Sequence, residues 1–317
     1  MKNDVVSYFE SSFLMKLLNI PNVTDISYNG EKFYYMASDC GRKEADLEVT
    51  SKDVGDFLKQ IANLSEKSFS LASPILDVSF SKYRLNGVYS NISRTSGDKT
   101  FSFSLRIASN KLMIADDSFE KEALEILLKA ISDHLPIFIA GSVNSGKTEL
   151  LKWILSKLKE NSRVIVIDNI EELDLLEYPH LDKVTWIVGD KKENSYSALV
   201  KNSLRSNPDY IVLAEARGEE FSDALDSLLS GHPVITTLHA SSLETMVDRM
   251  ARLVMLSPKL HKKEEVLEDL LSVPSLLIYM QKEEKEGAIF RQIESIGKVD
   301  HLHKKVVTLY KEGKNDA

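Results

Sequence analysis

Apolar residues divide the chain into two stretches of different rhythm. Over the first 108 residues or so, helical and alternating spacings are mixed. An opening helix would place Phe9, Phe13, Leu14, Leu17 and Leu18 on one side. It lacks the strongly basic face of a membrane-surface helix, so core packing is its expected role. Thr24 to Asp39 reads as a hairpin turning at Asn29-Gly30. Helical spacing returns at Val54–Leu64, followed by strand patterns at Ile75–Phe80, Tyr83–Ser90 and Thr100–Ile107. In the last of these, Phe101, Phe103, Leu105 and Ile107 alternate with polar positions, which sets Arg106 among serines on the polar face. Ala108 to Asp116 reads as a linker.

From about Ser118 the pattern becomes alternating helix and strand, which predicts a largely parallel sheet covered on both faces. Strand candidates are Ile137–Ala140, Arg163–Asp168, Lys183–Val188, Tyr210–Ala214 and Val234–Leu238. Helices are expected at Glu219–Ser230, Ser242–Leu256 and Lys263–Leu271, then two or three closing strands and a polar tail from Lys311. The expected organisation is a mixed α/β domain over 1–108, a linker over 109–117 and a larger α/β domain over 118–317.

The chemistry begins between the first strand and helix of that larger domain. Gly141-Ser142-Val143-Asn144-Ser145-Gly146-Lys147-Thr148 fits the phosphate-cradling pattern G-x-x-x-x-G-K-[ST]. The apolar run Leu135–Ala140 precedes it, and Leu151, Ile154, Leu155 and Leu158 recur behind it at helical spacing. Its glycines let backbone N–H groups wrap a pyrophosphate, and the helix N-terminus adds partial positive charge. Lys147 is then expected on the outer phosphates and Thr148 on Mg²⁺. Two further strands end in acids, Asp168 after Val164–Ile167 and Glu215 after Ile211–Ala214. At the carboxyl ends of parallel strands such acids can hold a metal-bound water or orient the attacking one.

Composition narrows the partners. The chain has 317 residues, 43% hydrophobic and 28% charged, with a formal charge of −8. No global basic field invites nucleic acid or an anionic membrane, so no direct nucleic-acid partner is expected. The single cysteine, Cys40, excludes an internal disulfide framework and a four-cysteine zinc site. No apolar run is long enough to span a bilayer, since Leu270–Met280 is short and interrupted by Pro274.

The stretch Leu204-Arg205-Ser206-Asn207-Pro208-Asp209-Tyr210-Ile211-Val212-Leu213-Ala214-Glu215-Ala216-Arg217 resembles the Walker B region of the type II/type IV secretion ATPases. Gly231-His232-Pro233-Val234-Ile235-Thr236-Thr237-Leu238-His239-Ala240 resembles their histidine box, and the motifs stand in that family's order. Ser104–Ser109 resembles the last strand of the N-terminal domain in the VirB-type traffic ATPases, with Arg84 where they carry an earlier arginine. The resemblance implies a RecA-like P-loop NTPase C-terminal domain with a smaller mixed α/β N-terminal domain over the nucleotide. It implies ATP and Mg²⁺ as cofactors, and a homo-hexamer held on the cytoplasmic side of an inner membrane by secretion or pilus machinery. Catalysis would fall to Glu215, Asp168, Lys147 and His239. The nucleotide would be held by Gly141, Asn144, Ser145, Gly146, Lys147, Thr148, Glu149, Arg84, Arg106, His232 and Arg217, and Mg²⁺ by Thr148 and Glu215, directly or through water.

Three positions depart from the family pattern. Ile167 stands where a glutamate normally precedes the aspartate and helps polarise the attacking water, a loss commonly worth a factor of about 10² to 10⁴ in rate. Asn207 replaces a second arginine, and Glu149 follows Thr148 in place of a hydroxyl residue. The leading expectation is an ATP-hydrolysing motor of a type IV secretion or conjugation apparatus, or of the neighbouring pilus systems. The alternative is a nucleotide-gated ring that hydrolyses weakly because of Ile167. A DNA-translocating motor comes third, disfavoured by the acidic balance.

Overall fold

The computed structural model describes residues 2–169, 171–189, 191–259, 261–285 and 288–313, so the end of the expected polar tail lies outside the described residues. The Cα packing resolves two compact units. One comprises Met1–Asn110, Ile170–Leu175 and Glu284–Phe290; the other comprises Lys111–Asn169, Leu176–Glu283 and Arg291–Ala317.

The first unit opens with α1 (Lys2–Glu10) and α2 (Met15–Leu18) in place of the single expected helix. Serines divide them: the Ser12 hydroxyl accepts from the Leu14 amide at 3.2 Å, and the Ser11 hydroxyl donates to the Tyr8 carbonyl at 3.0 Å. Such local side-chain bonds compete with helix propagation. Then follow β1 (Val23–Tyr28), β2 (Phe33–Ala37), β3 (Cys40–Ala45), α3 (Ser51–Leu64), β4 (Ile75–Phe80), β5 (Tyr83–Val88), a small hairpin of β6 (Arg94–Thr95) and β7 (Asp98–Lys99), and β8 (Ser102–Ile107). Thr50 and Asp53 close a capping box that starts α3. The strands pair antiparallel in the order β3-β2-β1-β8-β5-β4. Strand β4 alternates exposed and buried residues along its whole length, as a sheet with one covered face requires. That covered face carries an aromatic core in which the Phe9 and Tyr83 rings lie 4.5 Å apart, with Phe33, Phe57 and Phe103 beside them.

The second unit runs α4 (Lys121–Ser132), β9 (Ile137–Gly141), α5 (Lys147–Lys157), β10 (Arg163–Asp168), β11 (Asp182–Ile187), α6 (Tyr196–Ser203), β12 (Tyr210–Leu213), α7 (Glu220–Leu229), β13 (Val234–Leu238), α8 (Met246–Val254), α9 (Lys263–Ser272), β14 (Leu276–Lys285), β15 (Ala288–Asp300) and β16 (Lys305–Lys311). Its strand order is β11-β10-β12-β13-β9-β14-β15, with β16 on β15. The strands from β11 to β14 are parallel, and β15 pairs β16 antiparallel. Strands β9, β12 and β13 are buried at every position, which accounts for the mostly apolar sequences of β9 and β12; in β13 the buried Thr237 hydroxyl donates to the Ala214 carbonyl at 2.7 Å. The parallel register brings the carboxyl ends of β9, β10, β12 and β13 to one edge. The expected α/β architecture of both regions is present.

Candidate functional site

The phosphate loop leaves β9 at Gly141 and enters α5 at Lys147. A Cβ at Gly141 would strike the Met280 carbonyl oxygen and the Ser145 hydroxyl, so only glycine fits there. Asn144 (φ 61°) and Gly146 (φ 94°) adopt left-handed conformations, which curl the loop into a concave cradle of backbone amides. Lys147 is almost fully buried, and its Nζ donates to the Gly141 carbonyl at 3.1 Å and the Ser142 carbonyl at 2.8 Å. Thr148 follows in the first turn of α5.

Glu215 and His239 close the opposite side. The Glu215 Oε2 lies 2.5 Å from Arg217, whose guanidinium donates to it. His239 Nε2 lies 3.0 Å from Glu215 Oε1, while His239 Nδ1 lies 3.2 Å from the Gly141 carbonyl oxygen. Both ring nitrogens therefore face oxygens, one of the Gly141 carbonyl and one of the Glu215 carboxylate. The approach to Oε1 is close without the alignment of a hydrogen bond, and that oxygen stays buried with no hydrogen-bond partner. Burial works to raise the Glu215 carboxyl, but Arg217, His239 and Lys147 outweigh it and hold the group below the usual glutamate range. Glu215 is thus an anion at neutral pH. Arg217 stays charged, and its own amide donates to Glu220 Oε1 at 2.6 Å, which fixes the turn before α7.

Asp168, fully buried at the end of β10, lies on the same strand-end edge. Ile167 before it is equally buried but belongs to the apolar core with Leu213 and Phe221. A carboxylate in that environment would be unpaired, so the missing glutamate coincides with a position the core has taken over.

Among the described residues, buried side-chain atoms without hydrogen-bond partners include Ser145 Oγ, Tyr196 Oη and Glu215 Oε1. Ser145 belongs to the phosphate loop and Glu215 borders it. Buried polar atoms are nearly always paired, so their concentration here is what a site built for an absent polar ligand produces. The residues present fit a nucleotide with Mg²⁺: an amide cradle, a lysine, a threonine hydroxyl and an anionic carboxylate with one oxygen that accepts no hydrogen bond.

Two expected site residues are not brought to this cluster. His232 precedes β13 and His239 follows it, so the length of the five-residue strand, about 17 Å, separates them. The His232 Nδ1 sits 3.3 Å from the Ser230 hydroxyl instead. Glu149 is engaged elsewhere, with Oε1 accepting from the fully buried Lys152 at 2.9 Å and Oε2 from the Met113 amide at 3.3 Å. Its charge compensates a buried lysine and is not aimed at phosphates.

In the first unit, Arg84 and Arg106 are directly paired across β5 and β8 on the polar face. With Arg42, Asp25, Asp77 and Tyr34 they line an open cleft of about 360 Å³. Arg84 reaches Asp77 at 3.4 Å. Sequence reasoning missed Arg42, whose strand has no apolar alternation, and two residues of the second unit. Arg291 on β15 donates from Nε to the Asn144 carbonyl at 2.8 Å, across 147 residues of sequence. Tyr196 opens α6, in a stretch with no marked helical periodicity.

Residues 96–273, over half of the chain, match the family described as "Type II/IV secretion system protein". The chain is 27% identical over 274 residues to an uncharacterized protein of Bacillus anthracis, covering 82% of this chain and 61% of that one. It is 32% identical over 137 residues to the type IV secretion system protein VirB11 of Brucella suis, covering 42% of this chain and 38% of that one. The chain thus spans less than two thirds of the length of these curated relatives. The ATPase DotB of Legionella pneumophila shares the fold, with a TM-score of 0.68 at 21% identity over 93% of this chain and 82% of that one. So does the pilus retraction motor PilT with bound ADP, with a TM-score of 0.59 at 17% identity over 89% and 82% of the two chains. The phosphate loop, strand-end acids and histidine of the second unit lie inside the matched segment, and the chain belongs to the type II/IV secretion system protein family.

Proposed function

We propose that this protein is an ATPase motor that energises a type IV secretion, conjugation or related pilus apparatus, and that it acts as a ring of six subunits recruited to the cytoplasmic face of a membrane by that apparatus. Among the described residues no helix is long and apolar enough to cross a membrane, so such recruitment would run through partners or a surface contact. The observation that carries the ATPase reading is anionic Glu215, whose Oε1 accepts no hydrogen bond, held beside the Gly141–Thr148 loop by His239.

In this reading the loop amides hold the β- and γ-phosphates. Lys147 exchanges its bonds to the Gly141 and Ser142 carbonyls for phosphate oxygens. Thr148 and Glu215 would hold Mg²⁺, directly or through water, and the ion would supply charge neutralisation on the phosphate oxygens. Glu215 Oε1 accepts a hydrogen bond from the attacking water and orients it. Water adds to the γ-phosphorus as the bond to the β–γ bridging oxygen breaks, giving ADP and phosphate. His239, linking Glu215 to the loop, senses the change of charge. A second reading, a nucleotide-gated ring with little turnover, is favoured by one observation, the burial of Ile167 in the core.

Equilibrium binding of a fluorescent ATP analogue, with sedimentation velocity run at matched nucleotide concentrations, tests this reading. Saturable binding abolished by Lys147→Ala, with nucleotide-dependent assembly to six subunits, is expected. Absence of binding to the parent protein would sink it.

A further inference from the structure

Tyr196 is the first residue of α6, fixed there by Ser195, whose hydroxyl accepts from the Ala198 amide at 3.3 Å. Its ring packs against the apolar core of the second unit, and α6 lies against β10 and α7. The phenol oxygen is buried and has no hydrogen-bond partner. Tyrosine hydroxyls buried in this way almost always find one, because leaving the group unpaired sacrifices its hydration. The charged groups that act on it electrostatically are Asp168 at the end of β10, Glu215 beyond β12, and Arg217 and Glu220 at the start of α7. These are the strand-end acids of the proposed catalytic edge and the arginine that pairs with one of them.

We infer that the Tyr196 hydroxyl is a positioning group for the attacking water, working with Glu215. The inference rests on the ATPase reading above. Burial pushes the phenol well above its usual range; Asp168, Glu220 and Glu215 push the same way and Arg217 opposes them. The hydroxyl is therefore neutral at physiological pH. It offers one O–H to donate and two lone pairs to accept, which suits it to hold a water whose other proton points at Glu215. No proton is transferred to or from the phenol; it fixes the angle of attack while the carboxylate takes the polarising hydrogen bond. Orientation of this kind acts on the chemical step and leaves ground-state nucleotide binding alone.

Tyr196→Phe removes the oxygen and nothing else. The expected result is a fall in kcat of about tenfold or more, with KM and the Kd for a non-hydrolysable ATP analogue within about twofold of the parent. The melting temperature without nucleotide should be unchanged or a few degrees higher, since an unpaired buried hydroxyl is removed. Tyr196→Met, which keeps an apolar side chain of similar reach, should show the same division between kcat and KM. An unchanged kcat in Tyr196→Phe overturns the inference, as does a loss confined to KM or Kd. A parent protein that binds ATP and does not turn it over overturns the ATPase reading and this inference together.

Discussion

Arg291 offers a direct measure of how the phosphate loop is held. Its Nε donates to the Asn144 carbonyl at 2.8 Å, and its Cδ would lie 3.5 Å from a Cβ built on Gly146. One side chain therefore spans the two left-handed residues of the loop. Burial lowers the guanidinium pKa, but from so high a value that the group stays charged. A hydrogen bond from a charged donor contributes about 1.5–3 kcal/mol. Asn144 also spends about 1–2 kcal/mol in its left-handed conformation, which the loop can release once the bond is gone. Arg291→Met keeps the apolar stem over Gly146 and deletes the bond. At about 1.4 kcal/mol per tenfold, nucleotide affinity should fall by roughly 10- to 150-fold. Arg291→Lys, which keeps the charge without the fixed fork, should fall between the variant and the parent. Titration of a fluorescent nucleotide analogue, paired with urea unfolding, reads both consequences. A Kd within about twofold of the parent, with the loss appearing only as reduced global stability, would refute the view that Arg291 shapes the cradle.

Other expectations follow from single positions. Gly146→Ala forces a Cβ into a left-handed conformation (φ 94°) at a cost of about 1–2 kcal/mol, measurable as weaker nucleotide binding or a lower urea midpoint. Gly55→Ala would ordinarily add about 1 kcal/mol of helix propensity. Here its Cβ would press into the Phe101 ring, and overpacking of about 1–3 kcal/mol should win, so a raised urea midpoint would contradict the packing described. The Glu215 carboxyl is depressed in the fold, so its stabilising contribution is present above the ordinary glutamate pKa of about 4.3 and is lost as pH falls through the lower folded value. Stability of Glu215→Gln should therefore depend less on pH below about 5 than that of the parent, and parallel curves would contradict this.

Much of the fold could be read from local pattern, because the strands that matter are of two unambiguous kinds. Ile75–Phe80 alternates and Arg163–Asp168 contains the continuous apolar run Val164–Ile167, and both are strands over those residues. What escaped were features with no local signature. Strand β3, Cys-Gly-Arg-Lys-Glu-Ala, is largely exposed and carries no apolar rhythm; only pairing with β2 makes it a strand. The paired serines that split the opening helix offset an otherwise regular stripe. At the site, the loop, Asp168, Glu215 and His239 announced themselves through motif and strand end. Arg291 did not, because its contact is a product of topology alone, and neither did Tyr196, whose significance lies in an unpaired oxygen. His232 misled because sequence proximity to a strand does not say which end of the sheet a residue occupies.

In the proposed function the Glu215 edge and the phosphate loop form one hydrolytic site despite Ile167. Steady-state phosphate release from ATP with Mg²⁺, by the parent protein, Lys147→Ala and Glu215→Gln, tests it most directly. The parent should turn ATP over, Lys147→Ala should not through loss of binding, and Glu215→Gln should bind nucleotide with turnover lowered about 10²-fold or more. Parent turnover that survives Glu215→Gln, or ATP binding by the parent without any turnover, would contradict it.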